Sequence, residues 1–254
     1  MKRGRLSKEE QANRIRQLLS FIFIFRYATR EQLDMFIKST SGVLRPKRII
    51  ETSLSRGYIK RYYKSRLKRY IYHLSDEGKG LLHRHEPYIE YYKFNSRYAT
   101  LNTFEHHNFL IEVFFMLRAR LEIKEWTSEW VLRKDSSKWE KFPDGQITLP
   151  SGLKIAIEAE NSYKNVSDWK DFIYRYSHDI ERKPRYDAVF IIPLNKDYLT
   201  GIIVKLFNFA PDFAASRFIF TDIEMLKRDE CFYGNEIYPL KDVFSLLEKR
   251  YLKQ

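Results

Sequence analysis

Residues 54–78 read Leu54-Ser55-Arg56-Gly57-Tyr58-Ile59-Lys60-Arg61-Tyr62-Tyr63-Lys64-Ser65-Arg66-Leu67-Lys68-Arg69-Tyr70-Ile71-Tyr72-His73-Leu74-Ser75-Asp76-Glu77-Gly78. Two runs rich in tyrosine and isoleucine, Tyr58–Tyr63 and Arg69–Leu74, flank the basic turn Lys64–Lys68. Aromatic and β-branched residues favour strands, so the stretch predicts a hairpin with a positive tip. Gly57 stands where a preceding helix would end, because glycine alone takes the left-handed conformation there at no cost. Ser75 begins a further helix.

Working back toward the N-terminus, Arg45–Arg56 reads as a helix. Arg45, Lys47, Arg48 and Arg56 lie on its polar face, and Ile49, Ile50 and Leu54 face a core. A polar turn, Ser39–Gly42, precedes it. Thr29 with Gln32 three residues on forms a capping box that opens a short helix, Arg30–Ile37. Ile15, Leu18, Leu19, Ile22 and Phe23 give Lys8–Phe25 a helical period. Helix, helix, helix, hairpin, helix is the order of a winged helix domain. The patterns Thr29-Arg30-Glu31-Gln32-Leu33, Leu54–Arg61 and Tyr72–Gly78 resemble winged helix domains of bacterial regulators and plasmid proteins. The resemblance implies that Arg45, Lys47 and Arg48 enter the major groove of duplex DNA. It likewise implies that Lys60, Arg61, Lys64, Arg66 and Lys68 follow the phosphate backbone from the wing. Tyr58, Tyr62, Tyr63, Tyr70 and Tyr72 read as strand packing rather than base-stacking platforms. A winged helix that contacts protein instead is the alternative.

Charge points the same way. Residues 1–97 hold 23 Lys/Arg and 9 Asp/Glu, whereas residues 98–254 hold 23 and 24, so the entire excess of +13 lies in the N-terminal part. So lopsided an excess favours a polyanionic partner, since each phosphate contact releases counterions. The longest apolar run, Leu18–Phe25, is far short of the roughly 20 residues of a membrane span. The basic start Met1–Arg5 lacks the apolar region of a signal peptide, and the single cysteine, Cys231, excludes an internal disulfide or a multi-cysteine zinc site. These features predict a cytosolic, DNA-associated protein. Neither a phosphate-binding glycine loop nor a Gly-x-Ser-x-Gly elbow is present, so no nucleotide cofactor is expected. The six histidines form no clustered triad.

Beyond a tyrosine-rich polar stretch, residues 86–103, the pattern predicts a helix over Phe104–Leu121. Strands follow at Glu129–Arg133, Phe142–Leu149 and Leu153–Glu160, the last two joined by a tight turn at Pro150–Gly152. Next come a helix at Asn165–Glu181, a strand at Tyr186–Pro193, a helix at Lys196–Phe209, a strand at Arg217–Thr221 and an amphipathic helix at Tyr238–Gln254. Helix, three strands, helix, strand is the core order of the restriction-endonuclease-like, or PD-(D/E)xK, fold. Pro143-Asp144 opens one strand, and Glu158-Ala159-Glu160 closes the next, with both glutamates on one face. Asp144, Glu158 and Glu160 are therefore candidate ligands for Mg²⁺ or Mn²⁺, hard ions that prefer oxygen and activate water for attack on a phosphodiester. Bland alternatives are a solvated strand end and a Pro-Asp-Gly turn. The sequence departs from the nuclease pattern because Glu160 stands where that pattern has lysine. Lys154 lies roughly 20 Å away along an extended strand, whereas Lys164 or Lys170 could reach back.

A winged helix followed by a histidine-bearing helix, then Pro143-Asp144-Gly145 and Ile157-Glu158-Ala159-Glu160, resembles the replication-relaxation family of plasmids and integrative elements, to which class C mobilisation relaxases are akin. That resemblance spans about Thr29 to Ile192 and implies a site role for His107. Tyr174 and Tyr176 are candidate nucleophiles if a nick is covalent. The expected fold class is α+β, with a winged helix-turn-helix domain at 1–90, a connector at 91–103 and a nuclease-like α/β domain at 104–254. The expected function is site-specific binding of double-stranded DNA with metal-dependent nicking, as a homodimer or with other proteins of the same mobile element. Alternatives are a non-catalytic accessory factor or regulator with an inactive nuclease fold, and a transposon end-cleaving subunit that works with a partner transposase.

Overall fold

Helix α1, Lys8–Phe25, starts on a reciprocal cap: Ser7 Oγ accepts from Glu10 N at 3.1 Å, and Ser7 N donates to the Glu10 carboxylate at 2.8 Å. Ile15, Leu18, Leu19, Phe21, Ile22, Phe23 and Phe25 are all buried, a wider face than one helical stripe, so α1 is wrapped by its neighbours. The structure, a computed structural model, describes residues 7–41, 46–95, 100–134, 142–160, 164–182 and 184–251, with Ser41 and Asn102 described by backbone alone. It is an α+β fold, and the chain divides into two compact units, Met1–His107 and Asn108–Gln254. No helix among the described residues is long and apolar enough to cross a membrane.

In the first unit, strand β1, Ala28–Thr29, leads to α2, Arg30–Ser41. The expected capping box forms, with Thr29 N donating to Gln32 Oε1 at 2.8 Å and Gln32 N to Thr29 Oγ1 at 3.3 Å. Helix α2 continues through residues read as a polar turn. There Ser39 and Thr40 return their hydroxyls to the Phe36 carbonyl, which satisfies them within the helix. Helix α3, Pro46–Ser55, ends at Gly57, whose φ is +72°. Strands β2, Ile59–Lys64, and β3, Arg69–Leu74, pair antiparallel in the expected hairpin, and β1 adds to β3 in the order β1-β3-β2. Helix α4, Asp76–Leu82, is capped by Ser75, which accepts from Gly78 N at 3.0 Å and donates to the Gly57 carbonyl. The stretch read as a connector is partly core. Tyr92 is 2% exposed, and its hydroxyl donates to Arg26 O while accepting from Leu74 N.

The second unit is built on one seven-stranded sheet in the order β10-β9-β8-β7-β6-β5-β4. Its strands are β4 Glu125–Ser128, β5 Gly145–Thr148, β6 Lys154–Glu160, β7 Ala188–Pro193, β8 Phe218–Phe220, β9 Glu230–Tyr233 and β10 Glu236–Pro239. β6, β7 and β8 are mutually parallel and the flanking pairs antiparallel. Every residue of β7 is buried, as a central strand covered on both faces requires. One face packs Ala156, Val189, Ile191, Phe218 and Phe220 against α7, Val166–Ser177, and α8, Leu199–Phe209. On the other face Phe190 meets Phe244 of α11, Leu240–Tyr251. Helix α5, Leu101–Arg120, crosses the division between the units and starts three residues earlier than expected. Residues 129–133 are not a strand. Glu129–Leu132 forms a short helix, α6, held by an ion pair between Glu129 and Arg133 at 2.5 Å, while the strand is β4 just before it. Helices α9, Pro211–Arg217, and α10, Ile223–Lys227, together with the β9–β10 hairpin, complete the unit and were not anticipated.

Gly78 and Gly80 of α4 make a controlled pair. A Cβ on Gly78 would collide with the Tyr58 carbonyl oxygen, the acceptor for Ser75 N, whereas one on Gly80 meets nothing within 4 Å. Gly78→Ala is expected to destabilise the first unit by about 1–3 kcal/mol. Gly80→Ala is expected to stabilise it by up to about 1 kcal/mol. Urea unfolding of the two variants against wild type checks both signs.

Candidate functional site

Asp144, Glu158 and Lys164 come together around the end of β6. Antiparallel pairing of Gly145 with Ile157 brings the chain before β5 beside Glu158, and Asp144 Oδ2 accepts from Ala159 N at 2.8 Å. Gly145 has no positive φ. It is glycine because a Cβ would lie 2.9 Å from the Trp126 ring, which excludes the simple turn reading of Pro-Asp-Gly. Glu158 faces α7. Its Oε1 accepts from Arg175 at 3.0 Å and from the Tyr176 hydroxyl, and among the described residues no hydrogen bond is made to Oε2. Arg175 lies over the rings of Phe172 and Tyr176, at 5.3 and 4.7 Å.

Glu160 shares the Glu158 face but has another partner. It is 5% exposed and ion-paired with Lys164, whose Nζ also sits 5.1 Å over the Trp169 ring. The expectation that three carboxylates converge is therefore corrected: among the described residues no three acidic, histidine or cysteine groups form a metal-ready cluster. Two carboxylates, Asp144 and Glu158, adjoin, and the third is held by a lysine. The asparagine cap of α7 fixes this arrangement. Asn165 Oδ1 accepts from Asp168 N at 2.9 Å, and Lys164 is the residue just before that cap. Lys170 turns elsewhere, onto the Phe209 ring at 5.7 Å.

The electrostatics of Glu158 follow from this packing. Burial first, and the charge of Asp144 second, push its pKa up to about 7, against the opposing pull of Arg175, the Tyr176 hydroxyl and Lys164. The field of Lys164 thus reaches both glutamates. Tyr176 is 1% exposed and engaged with Glu158, so it serves as a partner of that carboxylate, while Tyr174 is 69% exposed on the outer side of α7. His107 belongs to the first unit. Its Nε2 lies 2.9 Å from Tyr27 O, its ring stacks on Tyr27 at 3.9 Å, and desolvation lowers its pKa to about 4. These contacts hold it as a neutral ring packed on Tyr27 within the first unit.

In the first unit Lys47, Arg48, Lys60, Arg61, Arg66 and Lys68 are exposed and Lys64 half-buried; Arg45 lies outside the described residues. Lys68 takes a left-handed conformation, φ +49°, which closes a single 3₁₀ turn, Ser65–Leu67, at the hairpin tip. The hairpin tyrosines are not uniformly packed: Tyr62, Tyr63 and Tyr70 are 44%, 50% and 46% exposed, and only Tyr72 is buried. Tyr63 pairs across the strands with Tyr70 at 5.1 Å, and Arg61 lies over the Tyr70 ring at 5.1 Å. Pattern reading missed this because tyrosine serves a buried or a wet face equally well.

A carboxyl whose folded pKa is raised adds stability while protonated. That contribution is complete below its ordinary value of 4.5 and is lost as pH rises through about 7. In metal-free buffer the melting temperature of the second unit is therefore expected to fall as pH rises from about 4.5 to about 7 and to level off above that. Glu158→Gln, which cannot ionise, is expected to flatten that fall. An unchanged slope in the variant would assign it to another group.

Compared with family models, with curated proteins and with solved structures, the chain matches none, and its reading rests on its own residues.

Proposed function

We propose that the chain binds double-stranded DNA through its first unit, a winged helix, and cuts or nicks it with a divalent cation at Asp144 and Glu158 of a nuclease-like second unit. The carrying observation is the division of charge. Met1–His107 holds 23 Lys/Arg against 10 Asp/Glu, whereas Asn108–Gln254 holds 23 of each. The excess is displayed on the exposed face of α3 and along the hairpin, the two elements that a winged helix lays on DNA. This is also how the replication-relaxation resemblance is carried forward, as part of the proposal.

The residues of the second unit fit a hard cation. Asp144 and Glu158 supply oxygen donors, and burial first and the charge of Asp144 second raise Glu158, the latter a cost that a cation would relieve. When bound, Mg²⁺ or Mn²⁺ would polarise a scissile phosphate and lower the pKa of a bound water. Lys164 takes the duty of the lysine missing from the Glu-x-Lys pattern. It approaches from four residues beyond Glu160, which holds it in an ion pair. Arg175 and Tyr176 orient Glu158.

One observation favours a second reading, a DNA-binding factor with a silent nuclease fold: Glu158 and Glu160 are each already neutralised by a cation of the same chain. A supercoiled-plasmid assay with Mg²⁺ or Mn²⁺ separates the two. Wild type is expected to give open circles, Asp144→Ala and Glu158→Ala none, and Lys164→Met a rate lower by on the order of 100-fold. Mn²⁺ should raise the melting temperature of wild type and not that of Asp144→Ala. Bound but uncut DNA with all four proteins would establish the silent fold. Loss of each phosphate contact, as in Arg48→Ala or Arg66→Ala, should reduce the slope of log affinity against log salt by about one.

A further inference from the structure

A cleft of about 690 Å³ opens on the first unit between the hairpin and residues 92–95. Alternation along β2 puts Lys60 and Tyr62, which line it, on the opposite face from Ile59, Arg61 and Tyr63. The remaining walls come from His73, from Ser75 to Lys79 at the start of α4, and from Lys93, Phe94 and Asn95.

Its chemistry differs from that of the hairpin tip. Three lysines, Lys60, Lys79 and Lys93, face one carboxylate in the lining, Asp76, which Lys79 already pairs at 2.5 Å. Lys60 and Lys93 make no ion pair with a described carboxylate. Aromatic surface is interleaved with this charge. Tyr62 is 44% exposed, and Phe94 stacks on His73 at 4.0 Å with the planes 10° apart, presenting a rigid flat edge. Burial, first, and Lys60 lower the His73 pKa, so the imidazole is a neutral part of the wall rather than a further cation. Tyr92 fixes the floor by bonding to Arg26 O and Leu74 N.

Duplex DNA cannot use such a cleft, because its bases are stacked and its phosphates lie on a convex surface. An unpaired strand can, since it offers phosphates to the lysines and free base faces to the aromatic rings. We propose that this cleft binds single-stranded DNA, taking one or two unpaired nucleotides with Lys60, Lys79 and Lys93 on the phosphates and Tyr62 beneath a base. This site shares Lys60 with the flank of the wing but otherwise lies apart from the duplex surface of α3 and the hairpin tip, and it stands whether or not the second unit cuts.

The test uses the full-length chain and fluorescence anisotropy with a labelled oligothymidylate, an abasic strand of equal length and a DNA duplex. Wild type is expected to bind the oligothymidylate, and Tyr62→Ala to weaken that binding on the order of tenfold, the usual worth of one stacked base. Lys93→Glu is expected to weaken it further and to lower its salt slope. Duplex affinity should stay within about twofold in both variants, as both side chains are outside the duplex surface. Thermal melting confirms that the variants are folded. Should Arg48→Ala lose the duplex but keep the oligothymidylate, the cleft is supported independently of the duplex reading. Equal oligothymidylate binding by wild type and both variants, equal binding of the abasic strand, or no binding by wild type overturns the proposal.

Discussion

Glu158 is an ionisable group on an inner strand of a seven-stranded sheet, and the cost of burying its charge shapes what surrounds it. A lone carboxylate there would be expelled or protonated. The chain instead brings two groups to one oxygen, Arg175 and the Tyr176 hydroxyl, from adjacent positions on α7. Successive helical residues point about 100° apart, so both reach Glu158 only if it meets the helix between them. That fixes the rotation of α7 about its axis. Trp169, Phe172 and Tyr176 then fall on the core side with Ala156, Val189 and Phe218, and Tyr174 is turned outward. The packing of α7 and the setting of Glu158 are one solution to one constraint.

The same logic explains Lys164. Glu160 lies two residues further along the same face, pairs with Lys164, and is more deeply buried than Glu158. A cation at the start of α7 is available because Asn165 caps the helix there and directs the preceding residue back over the sheet. Lys164 rests its ammonium on the Trp169 and Phe172 rings, so part of its desolvation is offset by cation–π attraction. Asp144 is held against the end of β6 by a backbone amide, accepting from Ala159 N at 2.8 Å. Local negative charge is thus concentrated where Asp144 faces Glu158, and the raised pKa of Glu158 expresses it.

Much of this was legible in the sequence, for identifiable reasons. Capping pairs are local chemistry, so Thr29 with Gln32, Ser75 and Gly57 marked element ends within a residue or two. The acidic positions stood out because Asp144 and Glu158 flank apolar strand residues. What failed depends on tertiary context. Glu129–Leu132 has the apolar content of a strand, yet the ladder with β5 ends at Ser128 and an ion pair closes the next turn as helix. β9 and β10 were missed because a hairpin at the edge of a sheet has little hydrophobic alternation to show. The lysine that could stand in for the one missing from Glu-x-Lys was narrowed to Lys164 or Lys170, and packing sets them apart: Lys164 pairs with Glu160, while Lys170 lies over the Phe209 ring. His107 shows what a motif position leaves out, since the fold stacks its ring on Tyr27 and sets its Nε2 against Tyr27 O.

The proposed division of labour has an electrostatic consequence of its own. A positive first unit raises the local concentration of a phosphate backbone, but Debye screening confines that benefit to about 8–10 Å at ordinary ionic strength. It cannot cancel the repulsion that a phosphodiester meets from two carboxylates in direct contact. Within the second unit, where Lys/Arg and Asp/Glu are equal in number, the cancellation has to be local. Lys164 supplies one positive charge, and Glu160 claims it. Arg175 supplies another, and Glu158 claims that. Asp144 adds its charge beside Glu158, whose pKa is raised by burial first and by that charge second, so an added cation between the two carboxylates would ease the repulsion that a phosphate meets here. A divalent cation would also provide an electrophile at the phosphate, which is the chemistry that the proposed catalytic reading calls for.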